Sequence, residues 1–248
     1  MKKVFSFLAI AAVICFVSCK KENTKNNQKE EQKEEQKEEE PAKYVNPITI
    51  DGDFADWAAI DESKLTIAKC AETASKLDLK VLKVYIDEYY VSAYVEFDYT
   101  AYDNAPESAV FDFHINGDNN TATGGWKGQW DQGETPCVDM MIQGSIIEDG
   151  AVVDYDPGMY KYAGEANTSD WSWDDVTVAG FITGKGTKKA FEFQMTRELY
   201  PLGKWADEFT MGVEVLVNGW DATGALPNTE ATETNAAGEA PLLVVKIK

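Results

Sequence analysis

From residue 82 onward, apolar side chains keep returning at every second position. Leu82, Val84 and Ile86 do so, and Tyr89, Val91, Ala93, Val95 and Phe97 alternate with Tyr90, Ser92, Tyr94, Glu96 and Asp98. The same beat runs through Phe111-Phe113-Ile115, Val138-Met140-Ile142, Phe191-Phe193-Met195, Met211-Val213-Val215-Val217 and Leu243-Val245-Ile247. An extended chain sends successive side chains to opposite faces, so each run reads as a strand with one face buried and the other wet. Asp87-Glu88 falls between the first two runs as a tight turn. Only residues 196–202 look helical, for a turn or two. Strands separated by Gly- and Asp-rich turns predict an all-β domain, an antiparallel β-sandwich of two packed sheets, with a closed barrel as the alternative.

The N-terminus is of another kind. Lys2 and Lys3 precede an apolar run over residues 4–17, too short to span a bilayer, which takes about 20 apolar residues. It has the proportions of a signal-peptide core. Ser18 and Cys19 follow, and Phe16-Val17-Ser18-Cys19 resembles a relaxed bacterial lipobox, with Phe16 where leucine is usual. The resemblance implies cleavage after residue 18 and acylation of Cys19; an ordinary secretory signal with a coincidental cysteine is the competing reading. Residues 19–43 then read as a charged tether. Its Lys-Glu-Glu-Gln repeats around Lys29, Lys33 and Lys37 offer nothing apolar to bury, so a solvated spacer is expected rather than a partner-binding charge run. The mature chain would be held in the cell envelope, at the outer membrane, through its lipid alone, since no other segment reaches spanning length.

The formal net charge is −20, and the tether's charges nearly cancel, so the acidic excess sits in residues 44–248. A surface that acidic repels phosphate backbones, which makes nucleic acid a poor partner and leaves cations and neutral ligands open. Of four cysteines, Cys15 leaves with the signal and Cys19 is acylated. Cys70 and Cys137 remain, either as a disulfide or as two free buried thiols; spacing does not choose between them.

Ile48-Thr49-Ile50-Asp51-Gly52-Asp53-Phe54-Ala55-Asp56-Trp57 resembles the opening of the family 9 carbohydrate-binding modules and their relatives. Other family-like segments follow in order: Val84-Tyr85-Ile86-Asp87-Glu88-Tyr89-Tyr90-Val91, Phe111-Asp112-Phe113-His114-Ile115-Asn116 running into Asp118-Asn119-Asn120 and Thr123-Gly124, Phe191-Glu192-Phe193-Gln194-Met195, and residues 213–220. The resemblance covers most of residues 44–248. It implies a jelly-roll sandwich that binds oligosaccharide or polysaccharide, with bound calcium in several relatives. Two tryptophans that clamp the terminal sugar in the best-known members are missing here, where the chain has Asn104-Ala105-Pro106-Glu107 and Thr234-Asn235-Ala236-Ala237-Gly238. Function belongs to sites rather than folds, so the glycan expectation rests on other residues.

The remaining aromatics supply them. Trp126 and Trp130 lie in one glycine-rich polar loop, Trp171 and Trp173 in another, and Trp220 at a strand end. Flat rings beside Asn, Asp and Gln are the mix that sugar recognition uses, though large loops also fold their own aromatics inward. Trp57 reads as a core plug between the sheets and Trp205 as the residue that packs the short helix down. Tyr85, Tyr90 and Tyr94 share a hairpin face, as a platform or as a half-buried surface. Asp118, Asn119 and Asn120 could ligate calcium or simply form an Asx turn. His114, the sole histidine, faces away from Phe111 and Phe113 as a hydrogen-bonded surface or groove residue; metal or haem ligation would need partners, Met140 or Met141 among them. No Ser-His-Asp set and no phosphate-cradling loop is evident. The domain is therefore read as a non-catalytic glycan binder serving an envelope transporter or hydrolase, with a protein-docking sandwich as the alternative.

Overall fold

A computed structural model describes residues 44–71, 79–99, 107–164, 170–174, 176, 180–198, 200, 203–217 and 220–248. The signal, Cys19, the tether and the gap at 104–106 lie outside the described residues. The fold is the expected all-β sandwich, two antiparallel sheets that do not close into a barrel. The smaller sheet runs in the order β1 (Leu65–Lys69), β2 (Leu79–Ile86), β3 (Tyr90–Phe97), β10 (Ala190–Thr196), β9 (Ile182–Gly186). The larger runs β12 (Asp221–Leu226), β11 (Glu208–Val217), β4 (Ala109–Asn116), β5 (Met140–Glu148), β7 (Gly158–Tyr162), β8 (Trp171–Ser172). Off that path, β13 (Leu243–Lys246) pairs with β11, and β6 (Ala151–Val152) pairs with β5.

The alternating positions meet between the sheets. Phe111, Phe113, Phe191 and Phe193 are buried there with Tyr155, and the Phe111 and Phe191 rings lie 4.7 Å apart. Each such side chain contributes roughly 1.5–3 kcal/mol by leaving water. The hairpin expected at Asp87 is present. Asp87 Oδ1 accepts the backbone N–H of both Tyr89 and Tyr90 at 2.8 Å, which turns the chain from β2 into β3.

Residues 48–60 cover the outer face of the smaller sheet. Trp57, on α1 (Ala55–Ala59), is buried with Ile48 and Leu65, and Tyr85 and Tyr94 pack against this group, so Trp57 plugs this outer face and not the expected space between the sheets. Tyr94 lies 5.2 Å from Phe54 and 5.6 Å from Trp57, ring to ring. The three hairpin tyrosines therefore belong to a partly covered sheet face. The Trp57 indole donates to Glu192 Oε2 at 2.6 Å, and Glu192 Oε1 accepts the N–H of Gly52 at 2.9 Å and of Asp51 at 3.2 Å. The two family-like motifs at 48–57 and 191–195 thus meet at one carboxylate.

Two further local expectations are corrected. Residues 196–202 do not form a helix among those described: Arg197 and Glu198 make a turn, and Tyr200 bridges to Gly203. Arg197 is buried and donates to the carbonyls of Asp87 and Ala206, which holds this segment as a strap between strands. Trp205 consequently packs on no helix. It sits in the main core, 4.8 Å from the rings of Tyr200 and Phe209, at one end of the sandwich. No helix among the described residues is long and apolar enough to cross a membrane.

Candidate functional site

β4 sends Phe111, Phe113 and Ile115 inward, so Asp112, His114 and Asn116 must point to the outer face of the larger sheet. Register places Glu214 of β11 and Gln143 of β5 on either side of Asp112, and Gly212 and Met141 on either side of His114. This outer face is not wet. Residues 117–139 leave β4 and fold back over it, and Asp112, His114 and Glu214 are 3%, 1% and 7% exposed.

The returning loop is tied down along its length. Gly125 N–H donates to Val138 O at 3.0 Å, and Gln132 holds the segment together, donating to Trp126 O at 3.0 Å and accepting from Cys137 N–H at 3.0 Å. Asp131 N–H reaches Ala240 O at 3.0 Å. Trp130 is fully buried by this arrangement and lies directly on β11, where only a glycine leaves room: a Cβ on Gly212 would sit 2.4 Å from the indole ring. Gly212→Ala is therefore expected to lift Trp130 off the sheet. Overpacking of this kind costs about 1–3 kcal/mol, and the red-shifted tryptophan emission of an exposed indole should accompany it. A variant with parental emission and stability would show that the loop is not seated by this contact.

Trp126, Trp130 and Trp171 gather around one imidazole, with ring centroids 6.2, 5.3 and 5.8 Å from that of His114. Val138, Met141, Tyr162 and Leu242 complete the cluster. Trp173 and Tyr160 pair edge to face at 5.3 Å on its flank, Trp173 63% exposed. Of the five tryptophans singled out from the sequence, the structure thus brings Trp126, Trp130 and Trp171 together and sets Trp173 beside them. Trp220 stands apart and exposed at the β11–β12 turn, with φ of 88°.

His114 does face away from Phe111 and Phe113 and is hydrogen-bonded, but its face is covered. Its Nε2 lies 2.9 Å from Glu214 Oε1. Gln143 Nε2 donates to Asp112 Oδ2 at 2.9 Å. Four polar atoms remain buried without a partner here: Asp112 Oδ1, His114 Nδ1 and the Nε1 of Trp126 and of Trp130. Burial pushes the Asp112 carboxyl up to about 6, Glu214 adding to the effect while His114 and Gln143 oppose it. Neither Met140 nor Met141 is needed as a partner for His114: Met140 points into the core and Met141 packs with the tryptophans.

Sequence reasoning missed Asp112, Gln143 and Glu214. Each occupies a polar position of an alternating strand, and only the loop that returns over them makes them a buried set.

Asp118, Asn119 and Asn120 lie at the start of the covering loop, Asn119 with φ of 54°. Asp118 Oδ1 accepts Asn120 N–H at 2.9 Å, both its oxygens lie 3.0 Å from Thr123 Oγ1, and Asn120 Oδ1 accepts Ala122 N–H at 3.0 Å. These bonds are those of an Asx turn. Cys70 and Cys137 are free thiols in this structure, each partly buried, Cys70 donating to Ala71 O and Cys137 resting beside Gln132. Of the two alternatives for this pair, the structure holds the unbridged one.

Searches find no family model that matches the chain and no curated protein that matches it.

Proposed function

We propose that the chain is an envelope lipoprotein, anchored through Cys19, whose sandwich binds a glycan without transforming it. The observation that carries this is the gathering of aromatic side chains on one outer sheet face: Trp126, Trp130 and Trp171 packed together, with Tyr160 and the exposed Trp173 on their open flank. A ring that stands 63% exposed beside a rigid aromatic cluster is the kind of surface on which the C–H face of a sugar stacks. Ser172 and Asp174 flank it in the chain and offer hydroxyl partners. The buried tryptophans support the platform, and Trp126, half-buried, borders it.

The test is binding of the detergent-solubilised full chain to a glycan array, in calcium and again in chelator, with tryptophan fluorescence read for each hit. The two buffers also report whether the turn at Asp118, Asn119 and Asn120 takes calcium. Trp173→Ala removes only an exposed ring and should leave the fold intact, yet it is expected to weaken binding roughly 10- to 30-fold, about 1.4–2 kcal/mol. Absence of any glycan response in both buffers would refute the reading and favour the competing one, a sandwich that docks a protein partner in the envelope.

A further inference from the structure

We propose that Asp112, His114 and Glu214 form a binding site for one divalent transition-metal ion of the zinc class, joining β4 to β11 beneath the tryptophan cluster. One ligand atom from each residue lies within 4.8 Å of the others, and all three side chains are buried. Two carboxylates and a neutral imidazole carry the charge that a divalent cation cancels, and oxygen with one nitrogen is a donor set that zinc accepts. Ligands on tetrahedral zinc stand about 3.4 Å apart, given bonds of about 2.1 Å. The His114–Glu214 contact at 2.9 Å is shorter than that and no pair exceeds 4.8 Å, so a small turn of the two carboxylates brings the three donors to metal distance.

The surroundings are arranged as a metal site needs. Gln143 holds Asp112 by one oxygen, Oδ2, and the other, Oδ1, is buried with no hydrogen bond. In a residue 3% exposed, such an oxygen is costly unless something fills the place of its missing partner. Three indoles fix the plane of the imidazole, which restricts the ring to one orientation. The Nε1–H groups of Trp126 and Trp130, in the cluster above the site, are likewise buried without a partner. Calcium does not suit the place: it takes six to eight oxygens, and here one of three donors is nitrogen in an indole-lined space.

The site shares none of its three ligands with the exposed sugar platform, so either reading can fail alone. Because His114 is the sole histidine, its ring can be followed without assignment ambiguity. The full chain in detergent is stripped with chelator and titrated with zinc chloride, with calorimetry for stoichiometry and ¹⁵N NMR of the histidine ring for location. One equivalent should bind and shift a ring nitrogen to a metal-bound position, while calcium chloride leaves the ring unmoved. The shape-conserving double variant Asp112→Asn with Glu214→Gln should bind zinc at least about 100-fold more weakly. An imidazole unmoved by excess zinc overturns the proposal, and so does a folded double variant that keeps the parental affinity. Should the double variant fail to fold, the ring spectrum of the unaltered chain decides alone.

Discussion

Glu192→Ala is expected to destabilise the domain by about 3–5 kcal/mol. One buried carboxylate accepts three N–H groups, from the Trp57 indole and the backbones of Asp51 and Gly52. Hydrogen bonds to a charged group contribute about 1.5–3 kcal/mol each, and removing the acceptor strands the buried donors as well. The damage should be local at first: residues 48–57 lose their anchor on β10, Trp57 comes out from between Ile48 and Leu65, and the outer face of the smaller sheet opens. Gly52 cannot be replaced to compensate, since its φ of 84° belongs to the left-handed region. Glu192→Gln keeps one acceptor but turns an amide donor toward another donor, and should fall about midway. Urea unfolding checks the series, with tryptophan emission reporting Trp57. A Glu192→Ala unfolding free energy within about 1 kcal/mol of the parent would show that apolar packing alone holds the N-terminal segment.

How much of this was legible in the sequence depends on which face of each strand is asked about. Inward positions are almost purely apolar, so Val84, Val95, Phe113 and Val213 declare both the strand and its buried side. The hairpin at Asp87 was equally plain, because an Asx side chain that bonds its own backbone is a local device. Outward positions carry the opposite risk. Alternation assigns polar residues to water, yet Glu192, Ser92, Gln194, Asp112, His114 and Glu214 are all buried. Each outer face is covered by a segment outside its sheet, residues 48–60 on one side and 117–139 on the other, and periodicity within a strand contains no information about what will cross over it.

Hints existed but were not decisive. Gly212, amid Met211, Val213 and Val215, marks a place where something approaches the backbone closely, and Trp130 is what approaches. Recognising that Asp112 and Glu214 meet requires the β4–β11 register, which pairs them directly but which neither strand's own sequence specifies. The helix expected at 196–202 failed for a related reason. Local propensity was overridden by Arg197, whose guanidinium bonds to Asp87 O, Ala206 O and Asp207 are tertiary. The pairing of Cys70 and Cys137 likewise turned on a distance no spacing supplies.

The domain should lose stability as pH rises from about 4 to about 7, and Asp139→Asn should remove much of that loss. Asp139 is 1% exposed at the exit of the covering loop, where Oδ1 accepts from the Tyr200 hydroxyl and the Gly117 N–H while Oδ2 has no partner. Burial first, with nearby Asp118 adding to it, pushes this carboxyl up to about 7 from 3.8, the bonds from Tyr200 and Gly117 notwithstanding. A raised folded pKa means that between those values the native chain holds a proton the unfolded chain has released. Asp139 therefore favours folding fully only below about pH 4, and the benefit is gone above about pH 7. Three units correspond to roughly 4 kcal/mol at 1.36 kcal/mol per unit. Asp112, raised to about 6, acts in the same sense over a narrower window. Asp207, lowered by the Arg197 guanidinium, acts in the opposite sense but is largely exposed. An asparagine keeps the acceptor for Tyr200 and Gly117, carries no charge, and turns an amide donor toward the Asp118 side. It should match the parent near pH 4 and be more stable by roughly 2 kcal/mol or more at pH 8. Denaturant unfolding of both chains across that range isolates the contribution of Asp139 and its coupling to Asp118, because carboxylates that do not interact with Asp139 cancel in the difference. Parallel pH profiles would mean that Asp139 is ionised in the native chain at neutral pH, its charge carried by the hydrogen bonds of Tyr200 and Gly117 and by water reaching Oδ2.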